Sequence, residues 1–402
     1  MKVVSIDVFA LKHRGNQFTL KGIVCRIRTD EGICGYGEAG VSYGKGSMAA
    51  FHMIKELAPL IIGQDPMKNE FLWERMFKDT FWGQAGGAIY YAAMSAIDTA
   101  LFDIKAKALG VPAYQLLGGK QRDSVRAYAS QLQLGWVNDE DTDFRLATTP
   151  QDYAREALLA VDDGYDAIKI DFTCARSDGK GLRTSEETTG ILLPETLESI
   201  IGRIKAVREA VGPKVDIIIE NHSNTDALSS TMIGQAAERY NIMYDEEVCT
   251  PLYPEVMKNI ARKVNIPIAN GERLFTRWGF LPFLQDDSIQ VVQPDIGLCG
   301  GITEAKKICD LSHIFDATVQ VHTCGSPIAL AAALQLEAAI PNFCIHEHHV
   351  INKVMFCREL GTYDIAASNG RFEIPDRPGI GQELSEYAIK HAYCETVKEG
   401  DF

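Results

Sequence analysis

The chain has 402 residues, of which 46% are hydrophobic and 23% are charged, an ordinary composition for a folded globular protein. Its 54 acidic side chains outnumber its 40 basic ones and give a net charge of −14, which argues against nucleic acids and anionic membranes as partners. No apolar run reaches the length of a membrane span, and the first residues lack the apolar core of a signal peptide. The ten cysteines form no CxxC pair, so we expect reduced thiols and a cytoplasmic location.

The N-terminal third is predicted to contain strands followed by helices. A strand covers residues 3–11, and two more strands flank a turn at residues 30–32. Apolar residues at helical spacing then predict helices over residues 47–63 and 90–109. This order is typical of an α+β domain, which we place at residues 1–122.

After that domain, short apolar runs alternate with helical segments, which predicts an α/β region with a parallel sheet. Eight strands over this length favour a βα barrel, placed at residues 123–365. One connection, residues 174–193, is long, polar and glycine-rich, as lids and interface segments often are. Residues 366–402 are predicted to form a segment that returns over the protein. The eight predicted strands are RAYASQL, DAIKIDF, VDIIIEN, IMYDEEV, IPIANGE, SIQVVQPD, ATVQVHT and FCIHEHH.

One polar residue stands near the C-terminal end of each of six successive predicted strands, at intervals of 23 to 27 residues. These residues are Glu220, Glu246, Glu272, Asp295, His322 and Glu347. Ligands bind at this end of parallel βα folds, so the six side chains are expected to converge. Three converging glutamates would repel each other unless a cation compensates, and oxygen ligands suit Mg²⁺ or Mn²⁺. His222 follows Glu220 by two residues and therefore shares its strand face.

Each of these residues also has an ordinary structural interpretation, because a single glutamate at a strand end is usually solvated or paired. The repeated pattern favours a site. In the HEHH run, strand alternation predicts that Glu347 faces inward and that the neighbouring histidines are structural. The glycines of GICGYGEAG lie around a turn between strands and not at a strand-to-helix junction, so we do not interpret them as a nucleotide site.

Several stretches together resemble the mandelate-racemase-like branch of the enolase superfamily. They include YDAIKIDF, IIIENHSN, YDEEV, NGERL, VQPDIGLCGGITEAKKI, VHTCGSPIALAAALQL and PGIGQEL, in the order that the family has them. The resemblance covers nearly the whole chain. It implies a modified (β/α)₇β TIM-type barrel with an N-terminal α+β capping domain, on which the C-terminal segment packs. It also implies abstraction of the proton next to a carboxylate, with Mg²⁺ bound, and assembly into a homo-oligomer.

The resemblance assigns a role to each strand-end residue. Glu220, Glu246 and Glu272 match the three metal ligands. His322 matches the histidine that serves as base and Asp295 its orienting partner, which agrees with the way a carboxylate on one imidazole nitrogen raises the basicity of the other. Glu347 matches a carboxyl group that hydrogen-bonds the enediolate.

The second predicted barrel strand departs from the racemase pattern. Racemases of the branch carry KxK there, whereas this chain has Lys169 and then Asp171, so one of the two bases is replaced by an acid. The ExH of the next strand resembles sugar-acid dehydratases of the galactonate, gluconate and mannonate type, in which the histidine protonates the departing hydroxyl. His222 would then be the general acid, or His322 would protonate the leaving hydroxyl in a syn elimination. Lys169 would be a cation beside the substrate carboxylate and Asp171 a ligand for sugar hydroxyls.

These expectations define a Mg²⁺-dependent sugar-acid dehydratase, a hydro-lyase that takes the C2 proton and eliminates the C3 hydroxyl. Two alternatives stay open at this point. One is a racemase or epimerase of a hydroxy or sugar acid, and the other is a non-catalytic sensor or scaffold that keeps the metal site. Substrate stereochemistry is expected to depend on residues 13–20 and 40–47 and on the insertion 174–193.

Overall fold

The computed structural model describes residues 1–12, 21–136 and 144–402. An antiparallel sheet with helices on it forms the cap, and a parallel barrel follows it. The cap sheet has the strand order β13-β1-β2-β3, so the end of the chain returns to its beginning. Its strands are β1 (Val3–Ala10), β2 (Ile23–Thr29), β3 (Cys34–Ala39) and β13 (Tyr393–Lys398). Residues 13–20, which we expect to influence stereochemistry, lie outside the described residues.

The barrel sheet has the order β10-β9-β8-β7-β6-β5-β4-β11, and all its neighbouring strands are parallel. Backbone hydrogen bonds between Val319 and the segment 342–344, each 2.8 Å long, join the last two strands and close the ring. Its strands are β4 (Ser124–Ser130), β5 (Ala167–Asp171), β6 (Asp216–Glu220), β7 (Ile242–Glu246), β8 (Ile268–Asn270), β9 (Val291–Val292), β10 (Thr318–Val319) and β11 (His346–His349). A short strand β12 (Arg371–Glu373) adds to β4 in the antiparallel sense. The fold is thus the predicted α/β (β/α)₇β barrel with an α+β cap.

Helices cover the cap sheet and the outside of the barrel. They are α1 (Ser47–Leu57), α2 (Asn69–Lys78), α3 (Ala88–Ala108), α4 (Ala113–Leu116), α5 (Pro150–Asp162), α6 (Pro194–Val211), α7 (Ala227–Ala237), α8 (Pro254–Ala261), α9 (Thr276–Gln285), α10 (Gly301–Ile314), α11 (Pro327–Ala339), α12 (Val350–Lys353), α13 (Met355–Arg358) and α14 (Glu386–His391). Helix α1 is shorter than predicted, because the chain tightens into a 3₁₀ turn at Ala58–Leu60, where a proline follows the helix. No helix within the described ranges is long and apolar enough to cross a membrane.

The glycines of the GYG stretch have a packing role in β3. A Cβ atom at Gly35 would lie 2.0 Å from the carbonyl oxygen of Ala100, and one at Gly37 would lie 2.1 Å from that of Ala96. Helix α3 therefore lies directly on the backbone of β3, a distance that only glycine permits. This close contact explains the glycine pattern without a nucleotide.

Hydrogen bonds between buried groups hold the cap on the barrel. Glu38, at the end of β3, accepts a bond from the backbone N–H of Ser326 at 3.0 Å and one from Ala329 N–H at 3.3 Å, so it satisfies free N–H groups at the start of α11. Gly40 N–H donates to the carbonyl of Gly297 at 2.8 Å. These contacts set the cap above the carboxyl ends of the barrel strands.

The insertion 174–193 contains more regular backbone structure than its polar, glycine-rich composition predicts. A backbone bridge joins Ala175 to Leu182, and a 3₁₀ turn at Ser185–Glu187 begins with a capping box between Thr184 and Glu187. Three large apolar side chains of this segment, Leu182, Ile191 and Leu193, are more than half exposed. The structure thus gives the insertion a local fold beside the barrel.

Candidate active site

The polar residues predicted at the strand ends lie at one end of the barrel. Glu220 and Glu246 are the last residues of β6 and β7 and pair in register, while Glu347 lies in β11. Asp295 and His322 follow β9 and β10 and form a parallel backbone bridge with each other. All five are at the carboxyl ends, where barrels of this kind bind their ligands.

Lys169 lies at the centre of the cluster. Its Nζ atom is 2.9 Å from Glu220 Oε2, 2.7 Å from Glu246 Oε1 and 2.9 Å from Glu347 Oε1, and its side chain is fully buried. Burial lowers the pKa of this ammonium, but the three carboxylates more than offset that effect, so the pKa lies well above its ordinary value. The ring of Tyr128 lies beneath the ammonium, 5.4 Å away. A charged lysine thus neutralises part of the glutamate cluster.

The glutamates retain capacity for a further cation. Glu246 Oε2 is buried without a hydrogen-bond partner, and burial together with Glu220 raises the pKa of Glu246 to about 8. Such orphaned carboxylate oxygens are costly alone and suit a hard divalent ion. In the part of the chain that the structure describes, however, no three histidine, cysteine or acidic side chains are arranged to hold a metal. Carboxylate oxygens are the kind of ligand that Mg²⁺ prefers, and the ligand assignment of Glu220, Glu246 and Glu272 stays a prediction.

His322 is held between two carboxylates. Its Nδ1 donates to Asp295 Oδ2 at 2.7 Å, and its Nε2 is 3.0 Å from Glu272 Oε2. Burial lowers the pKa of His322, but Glu272, Glu347 and Asp295 raise it well above its ordinary value. Asp295 is itself oriented, because its Oδ1 accepts the N–H of Gly297 at 2.7 Å. In this arrangement the ring is protonated, and its Nε2 is directed into the cluster toward Glu272.

His222 forms a second histidine–aspartate pair. Its Nδ1 donates to Asp171 Oδ2 at 3.1 Å, and its Nε2 is 3.8 Å from Glu220 Oε2. Both His222 and Ser223 adopt positive φ values, 50° and 52°, which non-glycine residues rarely do. Burial lowers the pKa of His222, whereas Glu220 and Asp171 raise it, to about 10. A sharp turn after β6 thus directs a protonated imidazole to the cluster, and such strain is common at functional sites.

Asp171 and Glu347 are both held by neighbouring donors. Asp171 Oδ1 accepts bonds from the N–H and hydroxyl of Thr173, at 2.8 and 2.6 Å, so this carboxylate is committed to orienting groups on both oxygens. Glu347 accepts the hydroxyl of Ser130 at 2.7 Å and the N–H of Thr323 at 3.0 Å. Burial raises the pKa of Glu347, but Lys169 and other cations lower it to about 2. Glu347 is consequently an ionised acceptor facing into the site.

Two of the neighbouring histidines in the HEHH run face away from the site. His346 donates to Glu337 Oε2 at 2.7 Å, and His348 is hydrogen-bonded to the hydroxyl of Tyr165. Both side chains are buried against the ring of Phe372. The alternation that predicts a structural role for them is therefore present in β11, but His349 lies on the same face as Glu347.

Sequence reasoning missed an ion pair at the edge of the cluster. Arg273 donates to Glu247 Oε1 and to Ser223 Oγ, both at 2.7 Å, and its Nε is 3.9 Å from Glu272. It thereby connects the turn after β6 with the ends of β7 and β8. The doubled acid in YDEEV, with an arginine after the glutamate of NGERL, is the signal that could have predicted this pair.

A capped α/β barrel with carboxylates, a lysine and two histidine–aspartate pairs at its carboxyl end has the architecture and the acid–base groups of an enzyme. Family models support this class over most of the chain. Residues 13–118 match the mandelate racemase / muconate lactonizing enzyme N-terminal domain, and residues 152–388 match the enolase C-terminal domain-like family. The chain belongs to the mandelate racemase / muconate lactonizing enzyme family of the enolase superfamily.

Relatives of known name agree with this assignment. The chain is 32% identical to the D-xylonate dehydratase of Haloferax volcanii over 92% of this chain and 84% of that protein. It is 30% identical to the D-galactonate dehydratase of Pectobacterium atrosepticum, with 97% and 94% covered. Among solved structures, a member of the enolase superfamily from Salmonella Typhimurium is 49% identical, with 99% and 100% covered and a TM-score of 0.94. The resemblance inferred from the motifs is confirmed.

Proposed function

We propose that this protein is a Mg²⁺-dependent dehydratase that converts a sugar acid, an aldonate or aldarate, into a 2-keto-3-deoxy acid. It is a carbon–oxygen lyase of the hydro-lyase class, as its curated relatives are. The observation that carries the proposal is the pair of histidines, each oriented by an aspartate, around one buried cluster of lysine and glutamates. Elimination of water needs one group to take a proton and another to give one.

His322 is the proposed base. Its Nδ1–H bond to Asp295 directs Nε2 into the site, and Glu272, once engaged by Mg²⁺, would no longer hold a proton on Nε2. The neutral Nε2 then takes the proton from C2, and the C–H electrons delocalise into the carboxylate as an enediolate. Lys169 lies beside this point and would neutralise the charge that develops on the substrate carboxylate. Glu347 is proposed to hydrogen-bond the enediolate, which requires its carboxyl group to carry a proton when the substrate is bound.

His222 is the proposed acid. When the enediolate collapses, the C3–O bond breaks, and the hydroxyl leaves as water with a proton from His222; the resulting enol then tautomerises to the 2-keto acid. Asp171 orients the ring and offers acceptors to sugar hydroxyls. Because Asp171 is already bonded to Thr173, it is poorly suited to the second-base role that the racemase alternative would require.

The metal ion is proposed to bind to carboxylates of the cluster. Glu220, Glu246 and Glu272 would hold Mg²⁺, with Mn²⁺ as a substitute, and the ion would stabilise negative charge on the substrate carboxylate and enediolate. The support is chemical, namely the orphaned Oε2 atom of Glu246 and an all-oxygen donor set.

A keto-acid assay tests the proposal. Purified protein with Mg²⁺ is incubated with a panel of C4 to C6 aldonates and aldarates that includes D-xylonate and D-galactonate. We expect 2-keto-3-deoxy product from one or a few stereoisomers, and none after EDTA treatment. Absence of keto acid on the whole panel would contradict the proposal. Deuterium exchange at C2 in D₂O without elimination would favour an epimerase instead.

The domain bounds, the cellular location and the oligomeric state are also part of the proposal. We place the cap at residues 1–122, the barrel at 123–365 and the returning segment at 366–402, which is supported by the pairing of β13 with β1. A cytoplasmic location is supported by ten cysteines that are all free thiols. A homo-oligomer is supported by the exposed apolar side chains of the insertion.

A further inference from the structure

His349 lies at the site without a role in the proposed mechanism. It follows Glu347 by two residues in β11, so the two side chains share the inward face of that strand. It lies opposite Ser130 of β4, whose hydroxyl donates to Glu347 at 2.7 Å, so the residue is beside the cluster. The side chain is only partly buried, so it is open to a molecule bound there.

One hydrogen bond determines the tautomer of His349. Its Nδ1 accepts the backbone N–H of Ile351 at 3.1 Å, where the ring caps the short helix α12. A ring nitrogen that accepts carries no hydrogen, so the neutral imidazole has its hydrogen on Nε2. Burial and the nearby cations Lys169, His322 and His222 lower the pKa of His349 to about 4, which keeps the ring neutral. No described residue accepts a hydrogen bond from Nε2.

We propose that His349 binds the substrate of the dehydratase, donating an Nε2–H hydrogen bond to an oxygen of the sugar acid, and so helps to select which sugar acid is bound. The inference rests on the proposed function and deepens it. Lys169, His322 and His222 act on the carboxylate and on C2 and C3, whereas His349 acts only by binding. The alternative is that the ring does no more than cap α12.

Two variants separate binding from capping. In His349→Asn the amide oxygen can replace Nδ1 as the helix cap, since asparagine is a favoured capping residue, but the donor at Nε2 is lost. In His349→Gln the longer side chain brings an amide N–H toward the position of Nε2, while the cap is lost. The panel member that the wild type dehydrates fastest is the probe, and KM, kcat and Tm are measured for each protein.

We expect His349→Asn to raise KM about tenfold, the value of one hydrogen bond, with kcat within about threefold and Tm unchanged. His349→Gln should keep KM near the wild-type value and lower Tm by a few degrees. If His349→Asn does not fold, His349→Ser replaces it, since serine also caps and lacks the donor.

An unchanged KM in His349→Asn, together with a lower Tm in His349→Gln, would show that His349 is only a cap and would overturn the inference while leaving the dehydratase intact. If the wild type has no activity on any panel member, the proposed function is contradicted. The role of His349 in substrate binding is then contradicted as well.

Discussion

The two histidine–aspartate pairs of the site are alike in composition and different in setting. His322 and Asp295 lie on neighbouring strand extensions, their hydrogen bond is 2.7 Å long, and the His322 side chain is 13% exposed. His222 and Asp171 are joined at 3.1 Å through a turn at positive φ, and the His222 side chain is 36% exposed. The first pair is buried against the cap, and the second is near the edge, where Arg273 bonds to Ser223.

This difference matches the two halves of an elimination. A base must be held still at the carbon whose proton it takes, because misplacement of the reacting atoms by about 1 Å is costly. An acid that protonates a leaving group must reach the C3 hydroxyl and regain a proton from solvent before the next turnover. The buried pair therefore suits abstraction at C2, and the more open pair suits departure of the C3 hydroxyl.

The largest effect is expected when the base is removed. His322→Asn should lower kcat by about 10³–10⁴-fold and abolish deuterium exchange at C2, because it removes the group that is proposed to take the C2 proton. The measurement is keto-acid formation together with proton NMR in D₂O. Retained C2 exchange in this variant would assign the base to another residue.

A smaller effect is expected when the acid is removed. His222→Asn should lower keto-acid formation by about 10²–10³-fold but leave C2 exchange measurable, because the enediolate still forms and returns to substrate. The same NMR experiment reports both events. If C2 exchange and elimination decrease to the same extent, the assignment of His322 as base and His222 as acid is wrong.

The orienting aspartates should differ as their histidines do. Asp295→Asn should lower kcat by about 10–100-fold, since an amide N–H beside Nδ1 favours the wrong tautomer. Asp171→Asn should lower kcat less than Asp295→Asn does and should raise KM more, because this carboxylate also binds Thr173 and is proposed to bind sugar hydroxyls. Steady-state kinetics of the two variants side by side test this order, and equal losses would remove the distinction between the pairs.

The cap contact behind the first pair predicts a pH effect on stability. Burial raises the pKa of Glu38 from 4.5 to about 7, although the N–H groups of Ser326 and Ala329 lower it. Stability from the protonated carboxyl is therefore complete below about pH 4.5 and is lost as the pH rises through about 7. The free energy of unfolding of the wild type should fall relative to Glu38→Gln between about pH 5 and 8, by up to about 3 kcal/mol.

Denaturant unfolding of both proteins across this pH range measures the difference. A difference that does not change with pH would mean that Glu38 keeps its ordinary pKa under the cap. We expect little change in kcat for Glu38→Gln at the pH where both proteins are folded, because Glu38 holds the start of α11 and does not touch the reacting atoms.

Most of the architecture was predictable because it depends on local patterns. Alternating apolar runs and helical segments predict the barrel, and polar residues at regular intervals predict where its strands end. Element ends were less predictable: the helix at residues 47–63 ends at Leu57, and β9 and β10 have only two residues each. A strand of two residues is too short to show a hydrophobic periodicity in the sequence.

What the sequence by itself determined is the set of acids, histidines and lysine at the carboxyl ends of the strands, because a parallel βα repeat must bring those ends together. Only the tertiary structure decided how they pair. Lys169 lies among three glutamates that are 51 to 178 residues away in the sequence. Glu38 caps a helix that is 288 residues away. His349 has an Nε2–H group that is unbonded within the described residues, because its Nδ1 caps α12. Such pairings depend on neighbours that closure of the barrel and docking of the cap supply, and no local pattern contains them.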